Sequence, residues 1–128
     1  MTADSGSEDT DTSFRIIETT VIPEVTHVRL YQDTIDKVVE EHEFGEGLTK
    51  APVNMIEDTV KNPTAVYAST GYPTGNYIYS STSNTFEGNP CNVPVKVVEG
   101  TSARVKTAIF TERPKGTLIW KGASDDNQ

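Results

Sequence analysis

The sequence predicts an α+β fold, with N-terminal strand(s) and two helices packed on one face of a four- to five-stranded antiparallel sheet. Three observations predict it: a β-branched N-terminal stretch, two consecutive amphipathic helical segments, and a C-terminal half of short apolar segments separated by turn residues. Elements segregated along the chain in this way are typical of helices laid against an antiparallel sheet.

The length and the two ends of the chain predict one domain. A chain of 128 residues has the size of an ordinary domain. Residues 1–12 have no large apolar side chain after Met1 and are rich in Ser, Thr, Asp and Glu. Such a segment cannot bury enough surface to offset its ordering entropy. We therefore predict disordered tails at 1–12 and 123–128 and a single α+β domain at 13–122.

Two strands are predicted before the helices. FRIIETTVIP at 14–23 is rich in β-branched and apolar residues and ends in proline. THVRLY at 26–31 alternates, so His27, Arg29 and Tyr31 point to one side and the apolar residues between them point to the other.

Two helices follow. The first is predicted to begin with Asp33 as its N-cap and to end before Gly45. Its apolar face is formed by residues spaced 0, 3, 4 and 7 positions apart: Ile35, Val38, Val39 and His42. The second helix is predicted within 51–63, with Pro52 at its first helical position.

The C-terminal half is predicted to contain five strands, at 64–70, 76–81, 93–99, 102–111 and 117–121. The stretch TSNTFEGNPCN at 82–92 is predicted to be a polar loop that carries Cys91 as a free thiol. A single cysteine cannot form an internal disulfide or a cysteine-built zinc site, and two histidines are too few for a histidine-built one. No metal site and no cofactor are therefore predicted.

The charge is unevenly distributed along the chain. The net charge is −8, with −10 over residues 1–60 and +4 over residues 61–122. A local basic face can bind phosphate whatever the total charge. No apolar run approaches the roughly 18 residues that span a bilayer, and the N-terminus lacks the pattern of a signal peptide. The sequence therefore predicts no membrane partner and a cytoplasmic location.

His42 is the histidine placed at the end of a predicted element. A neutral imidazole near pH 7 is the usual general base, so His42 is a catalytic candidate. The alternative is that His42 completes the apolar stripe of its helix and hydrogen-bonds to a neighbour.

The C-terminal strands carry further candidates. Thr107 and Thr111 are predicted to share one strand face and to offer hydroxyls to a phosphate, or else to be ordinary strand threonines. Tyr77 and Tyr79 also share one face and either stack on bases or pack across strands. Six cations are candidate phosphate contacts or else solvated surface charges: Arg29, Lys61, Arg104, Lys106, Arg113 and Lys115.

Five stretches, taken in order, carry a family resemblance: HVRLYQDTIDKVVEEHE, MIEDTVKNPTAVY, NYIYSS, VPVKVVEG and RVKTAIFT. Together they resemble the small phage-associated nucleases grouped with barnase, EndoU, the tRNA-cleaving colicins and RelE, known as the BECR fold. The resemblance runs from about Thr26 to Thr111, some two thirds of the chain. Members tend to show a helix closing on a His-Pro-Glu-like element, a second helix ending before proline, a tyrosine-bearing strand and a strand with a late threonine.

The resemblance implies metal-independent cleavage of RNA, as in toxin- or phage-type endoribonucleases. His42 would be the general acid or base, and Thr107, or in second place Thr111, would hold the scissile phosphate. Lys37 falls where relatives often place a further basic residue. The implied RNA contacts are Tyr77 or Tyr79 and Arg104 or Lys106. The implied location is a cytoplasm, that of the producing cell or that of a target cell.

A second function is also open at this point. The carboxylates around His42 would repel phosphate, and acidic surfaces steer basic partners toward them. They are Glu40, Glu41, Glu43 and Glu46. The alternative prediction is a non-catalytic acidic binding protein, an immunity protein or inhibitor that keeps the fold and binds a cognate basic protein.

Overall fold

The computed structural model of the protein describes residues 13–42, 51–69, 76–112 and 116–122. The two predicted tails lie outside the described residues, as do the glycine-containing loop after the first helix, the turn GYPTGN up to Gly75, and the cations Arg113 and Lys115.

Strands make up 57% of the described residues. They are β1 (Phe14–Ile22), β2 (Val25–Tyr31), β3 (Ala65–Ala68), β4 (Asn76–Phe86), β5 (Asn89–Glu99), β6 (Ser102–Val105), β7 (Ile109–Phe110) and β8 (Thr117–Lys121). The helices are α1 (Gln32–His42) and α2 (Pro52–Lys61). Both predicted helices are confirmed, although α1 begins one residue before the predicted cap Asp33.

The strands form one mixed sheet. Its order is β1-β2-β6-β5-β4-β3-β8, and β7 pairs with β5 beyond the end of β6. The pair β2–β6 is parallel, with Val28 beside Ala103 and Arg29 beside Arg104, and the other pairs are antiparallel. The sheet curls into a half-barrel.

The curl follows from the packing of α2. This helix contacts β1, β4 and β5, and its residues Met55, Ile56 and Val60 are buried. In a flat sheet β1 and β4 would lie four strand spacings apart, about 19 Å, whereas a helix is only about 10 Å across. The sheet therefore has to wrap around α2 so that one helix touches both strands.

The predicted α+β class, with two helices on one face of a four- to five-stranded antiparallel sheet, is wrong. The N-terminal strands belong to the same sheet as the C-terminal strands, because β2 pairs in parallel with β6. No local pattern specifies this pairing, since it joins segments about 75 residues apart. The sheet is also larger than predicted, because the predicted loop 82–92 is largely strand.

Strands β4 and β5 form one long hairpin through that predicted loop. Its turn residues Glu87 and Gly88 have φ angles of 55° and 84°, and positive φ at both central residues is the requirement of a type I′ turn. Phe86 and Cys91 flank the turn with buried side chains. The polar residues Thr82, Ser83 and Asn84 concealed the strand, because the register shifts at a bulge between Ser81 and Thr85.

The bulge places Asn84 inside the protein, where it ties β4 to α2. Its side chain is fully buried. Its Nδ2 lies 2.9 Å from Asp58 Oδ2, 3.0 Å from Ser81 Oγ and 3.3 Å from Thr59 Oγ1. An amide nitrogen has two hydrogens, so these three acceptors share two donors. The contact offsets the cost of burying polar groups at this junction.

We expect Asn84→Ala to lower the free energy of unfolding by about 2 kcal/mol, because it leaves buried acceptors unpaired. The matched control is Asn62→Ala, which removes an exposed donor to the same carboxylate of Asp58 at 3.0 Å. That control should change stability by less than about 0.5 kcal/mol. Urea unfolding of both variants and the wild type measures the difference, and equal losses in the two variants would contradict the buried contact's importance.

Candidate active site

His42 is anchored at the end of α1 by a contact that spans 66 residues of sequence. Its Nε2 lies 2.9 Å from the carbonyl oxygen of Ala108. A carbonyl can only accept, so Nε2 carries the hydrogen in this contact. The ring also meets Phe110 edge to face, with centroids 5.2 Å apart and an interplanar angle of 89°. The half-buried ring is therefore held in one orientation.

The segment that receives His42 interrupts the predicted strand 102–111. Residues 106–108 lie between β6 and β7 and belong to neither strand. Because the strand is interrupted, Thr107 and Thr111 do not share one strand face as predicted, and the side-chain alternation is lost: Val105 is buried, whereas Ile109 is 44% exposed. The break turns the buried residue Ala108 toward α1, and its neighbour Thr107 is half-buried. The structure thus brings His42 next to the segment that carries Thr107.

Asn92 holds this segment from the side of β5. Its Nδ2 donates to the carbonyl oxygens of Thr111 at 2.9 Å and Ile109 at 3.3 Å. Thr111 itself is half-buried. Sequence reasoning missed Asn92, although an amide set between the apolar residues Cys91 and Val93 was the available signal. Its role is to fix the path of the chain that His42 contacts.

The two candidate tyrosines lie on the inner face of the sheet. Tyr79 is fully buried, its hydroxyl has no hydrogen-bond partner in the described part of the chain, and burial raises its pKa far above the ordinary value. Tyr77 is half-buried, and burial together with the Glu24 carboxylate raises its pKa. Tyr77 pairs with Val95, which in turn pairs with Val105. Both rings therefore point away from the side that carries Arg104.

The described candidate cations lie on the outer face, on α1 or on α2, where Lys61 is exposed in the last turn. Arg104 is exposed on β6. Lys106 is also exposed, and its backbone N–H donates to the Pro94 carbonyl at 2.8 Å. This bond extends the β5–β6 ladder by one pair, which places Lys106 on the same face as Arg104. Lys37 is exposed on α1 five residues before His42, roughly 140° around the helix axis from it.

The predicted site residues are therefore only partly brought together. His42 and Thr107 lie on neighbouring segments, and Lys106 directly precedes Thr107. Arg104 lies two residues earlier on the outer face. Four further candidates lie apart from these: Lys37, Tyr77, Tyr79 and Thr111.

Cys91 lies in β5, not in a loop as predicted, and its side chain is fully buried. Burial raises the pKa of the thiol to about 11, and a hydrogen bond from Thr59 acts in the opposite direction. Because the thiolate is the nucleophilic form, this thiol is unsuited to nucleophilic chemistry at neutral pH.

Comparison of the chain with protein-family models, with curated proteins and with solved structures found no match. Within the described ranges, no helix is long and apolar enough to cross a membrane. The resemblance to BECR nucleases and the roles it implies thus stay predictions.

We expect stability to fall as the pH rises above 9, because of Cys91. Its folded pKa of about 11 exceeds the ordinary value of 9.0. Between these values the unfolded chain loses the proton and the folded chain keeps it, which costs about 1 kcal/mol at pH 10. Urea unfolding at pH 7.5, 9 and 10 should show a smaller decline for Cys91→Val than for the wild type. An equal decline in the free energy of unfolding of the two proteins would contradict the attribution of this pH dependence to Cys91.

Proposed function

We propose that the protein is a metal-independent endoribonuclease in which His42 acts as general acid or base and Thr107 contacts the scissile phosphate. The observation that carries the proposal is the 2.9 Å contact between His42 Nε2 and the Ala108 carbonyl. It joins the end of α1 to the segment that contains the candidate phosphate ligand. These are the two residues to which the BECR resemblance assigns the chemistry.

In the chemistry of this proposal, His42 serves one of two proton transfers and solvent water serves the other. The ribose 2′-hydroxyl loses its proton to a base and attacks the adjacent phosphorus, while the 5′-oxygen leaves with a proton from an acid. The Nε2–H bond to Ala108 fixes the orientation of the ring, and the imidazole of His42 takes or gives the proton. The Thr107 hydroxyl donates to a non-bridging phosphate oxygen, and Lys106 offsets the charge that develops there.

The location belongs to the same proposal. The nucleases that this chain resembles are phage-associated or toxin-type, and their substrate is RNA. We therefore place the reaction in a cytoplasm, either that of the producing cell or that of a target cell.

A second candidate is the non-catalytic acidic binding protein. The observation that favours it is the exposed acidic side of α1, formed by Asp36, Glu40 and Glu41. Three exposed carboxylates within two helical turns offer a rigid surface to a basic protein partner. In this case the contact of His42 with Ala108 is structural.

We expect the wild type to cleave total RNA in the presence of EDTA and His42→Ala to reduce the rate at least about 100-fold. The matched control is His27→Ala, since His27 is exposed on β2 and its ring Nδ1 lies 2.9 Å from the hydroxyl of the neighbouring Thr26. That control should cleave like the wild type. Gel analysis of the products, with thermal unfolding of each variant, measures both effects.

A further variant separates proton transfer from anchoring. His42→Gln keeps an N–H that can donate to the Ala108 carbonyl but cannot carry a proton between groups. It should fold like the wild type and stay inactive; full activity would exclude His42 as the acid or base. Intact RNA in every lane would reject the ribonuclease proposal. Recovery of a basic protein at low salt, lost when Glu40 and Glu41 are replaced by Gln, would then support the second candidate.

A further inference from the structure

Three cations stand side by side on the outer face of the sheet. Arg104 on β6 is in register with Arg29 on β2 and with Lys96 on β5. Residues in register share a face, and neighbouring strands lie about 4.8 Å apart. The residues next to them in sequence, such as Val28 and Val95, are buried on the inner face. The three cations therefore form one row across three adjacent strands.

The row is not neutralised within the described part of the chain. Lys96 and Arg104 are exposed, and the ion pair found there joins Arg15 to Glu57 of α2. Like charges on directly opposed strand positions are destabilising. The free protein thus carries a repulsion that an anion bound along the row would relieve.

An aromatic pair lies beside the row at the edge of the sheet, two residues further along β2 than Arg29. Phe14 on β1 is in register with Tyr31 on β2, and their ring centroids lie 5.1 Å apart at 48°. The Arg29 guanidinium lies over the Phe14 ring at 5.2 Å and 3.5 Å from the Tyr31 hydroxyl. Phe14 is 46% exposed. Unpaired bases stack on aromatic rings that remain accessible next to cationic side chains.

We propose that this surface, the outer platform formed by Phe14, Arg29, Tyr31, Lys96 and Arg104, binds single-stranded RNA outside the cleavage site. Bases would stack on Phe14 and Tyr31, and phosphates would follow the row of cations. As a substrate path, this inference rests on the ribonuclease function proposed above. Two features connect them: β6 carries Arg104, and the next outward cation, Lys106, immediately precedes Thr107.

The aromatic pair decides which polyanion fits best. An acidic peptide would satisfy the cations but has no flat rings to place on Phe14. A duplex presents phosphates, but its bases are stacked on each other and are not available to a protein ring. Single-stranded RNA supplies both phosphates and unpaired bases, so it uses the whole surface.

The test is binding of a labelled 2′-O-methyl oligoribonucleotide of about 12 nucleotides, a single-strand site size, followed by fluorescence anisotropy. The 2′-O-methyl groups remove the nucleophile, so the probe binds without being cut. Phe14→Ala should raise the Kd about 5-fold or more, which corresponds to the loss of one stacked base. Lys96→Gln should raise the Kd and reduce the slope of log affinity against log salt by about 0.7.

Matched controls lie on β8 at the opposite edge of the sheet. The exposed fraction of Leu118 is 49%, similar to the 46% of Phe14. Lys121 is an exposed strand cation, as is Lys96. Leu118→Ala and Lys121→Gln should leave the Kd unchanged. If Phe14→Ala and Lys96→Gln bind the probe with the same Kd as the two control variants, the proposal that the outer platform binds RNA is overturned. Equal competition by duplex RNA or by polyglutamate also overturns it.

The failure of this inference can be distinguished from failure of the proposed function. Binding of the probe by wild type and by His42→Ala, without cleavage of any RNA, would support the outer platform and reject the ribonuclease. Cleavage by wild type, with binding unaffected by Phe14→Ala and Lys96→Gln, would support the ribonuclease and reject the outer platform. If both hold, Phe14→Ala should weaken cleavage of long RNA and leave cleavage of a dinucleotide unchanged, because a dinucleotide is too short to reach Phe14.

Discussion

The parallel pairing of β2 with β6 is the constraint on which the rest of the structure depends. It joins an N-terminal hairpin to a sheet built from the second half of the chain. At its start the Thr26 N–H donates to the Thr101 carbonyl at 2.9 Å, and the two threonine hydroxyls lie 2.7 Å apart. Parallel strands need a long crossover connection. Here α1, α2 and the β3–β4–β5 segment fill that connection, and the curled sheet wraps around α2.

This connection also determines where His42 lies. Helix α1 begins directly after β2, and buried Val38 fixes how it lies on the core. Its last residue then meets the break between β6 and β7 at Ala108. The break itself is held by Asn92 from β5. His42 is thus positioned by three elements that are far apart in sequence, which gives a defined ring orientation without a dedicated motif around it.

The two faces of the sheet differ in charge. The inner face contains the tyrosines of β4, of which Tyr79 is fully buried. The outer face contains Arg29, Arg104 and Lys96. A protein of net charge −8 therefore has a locally cationic surface, and its acidic residues on α1 lie on another part of the molecule. Net charge alone is a poor guide to the ligands of such a chain, because a phosphate responds to the nearest charges within a Debye length.

The sequence by itself determined the existence and type of most elements. The alternation of β2, the apolar spacing of α1 and Pro52 at the start of α2 are local features, and local sterics and burial are sufficient to specify them. It also pointed to His42 as the histidine at an element end. Only the tertiary structure decided the sheet order, the burial of Tyr79, the strand character of residues 82–92 and the break after Val105. These depend on which distant strands pair and on where a bulge shifts the register, and pairing partners leave no periodic signal in a single sequence.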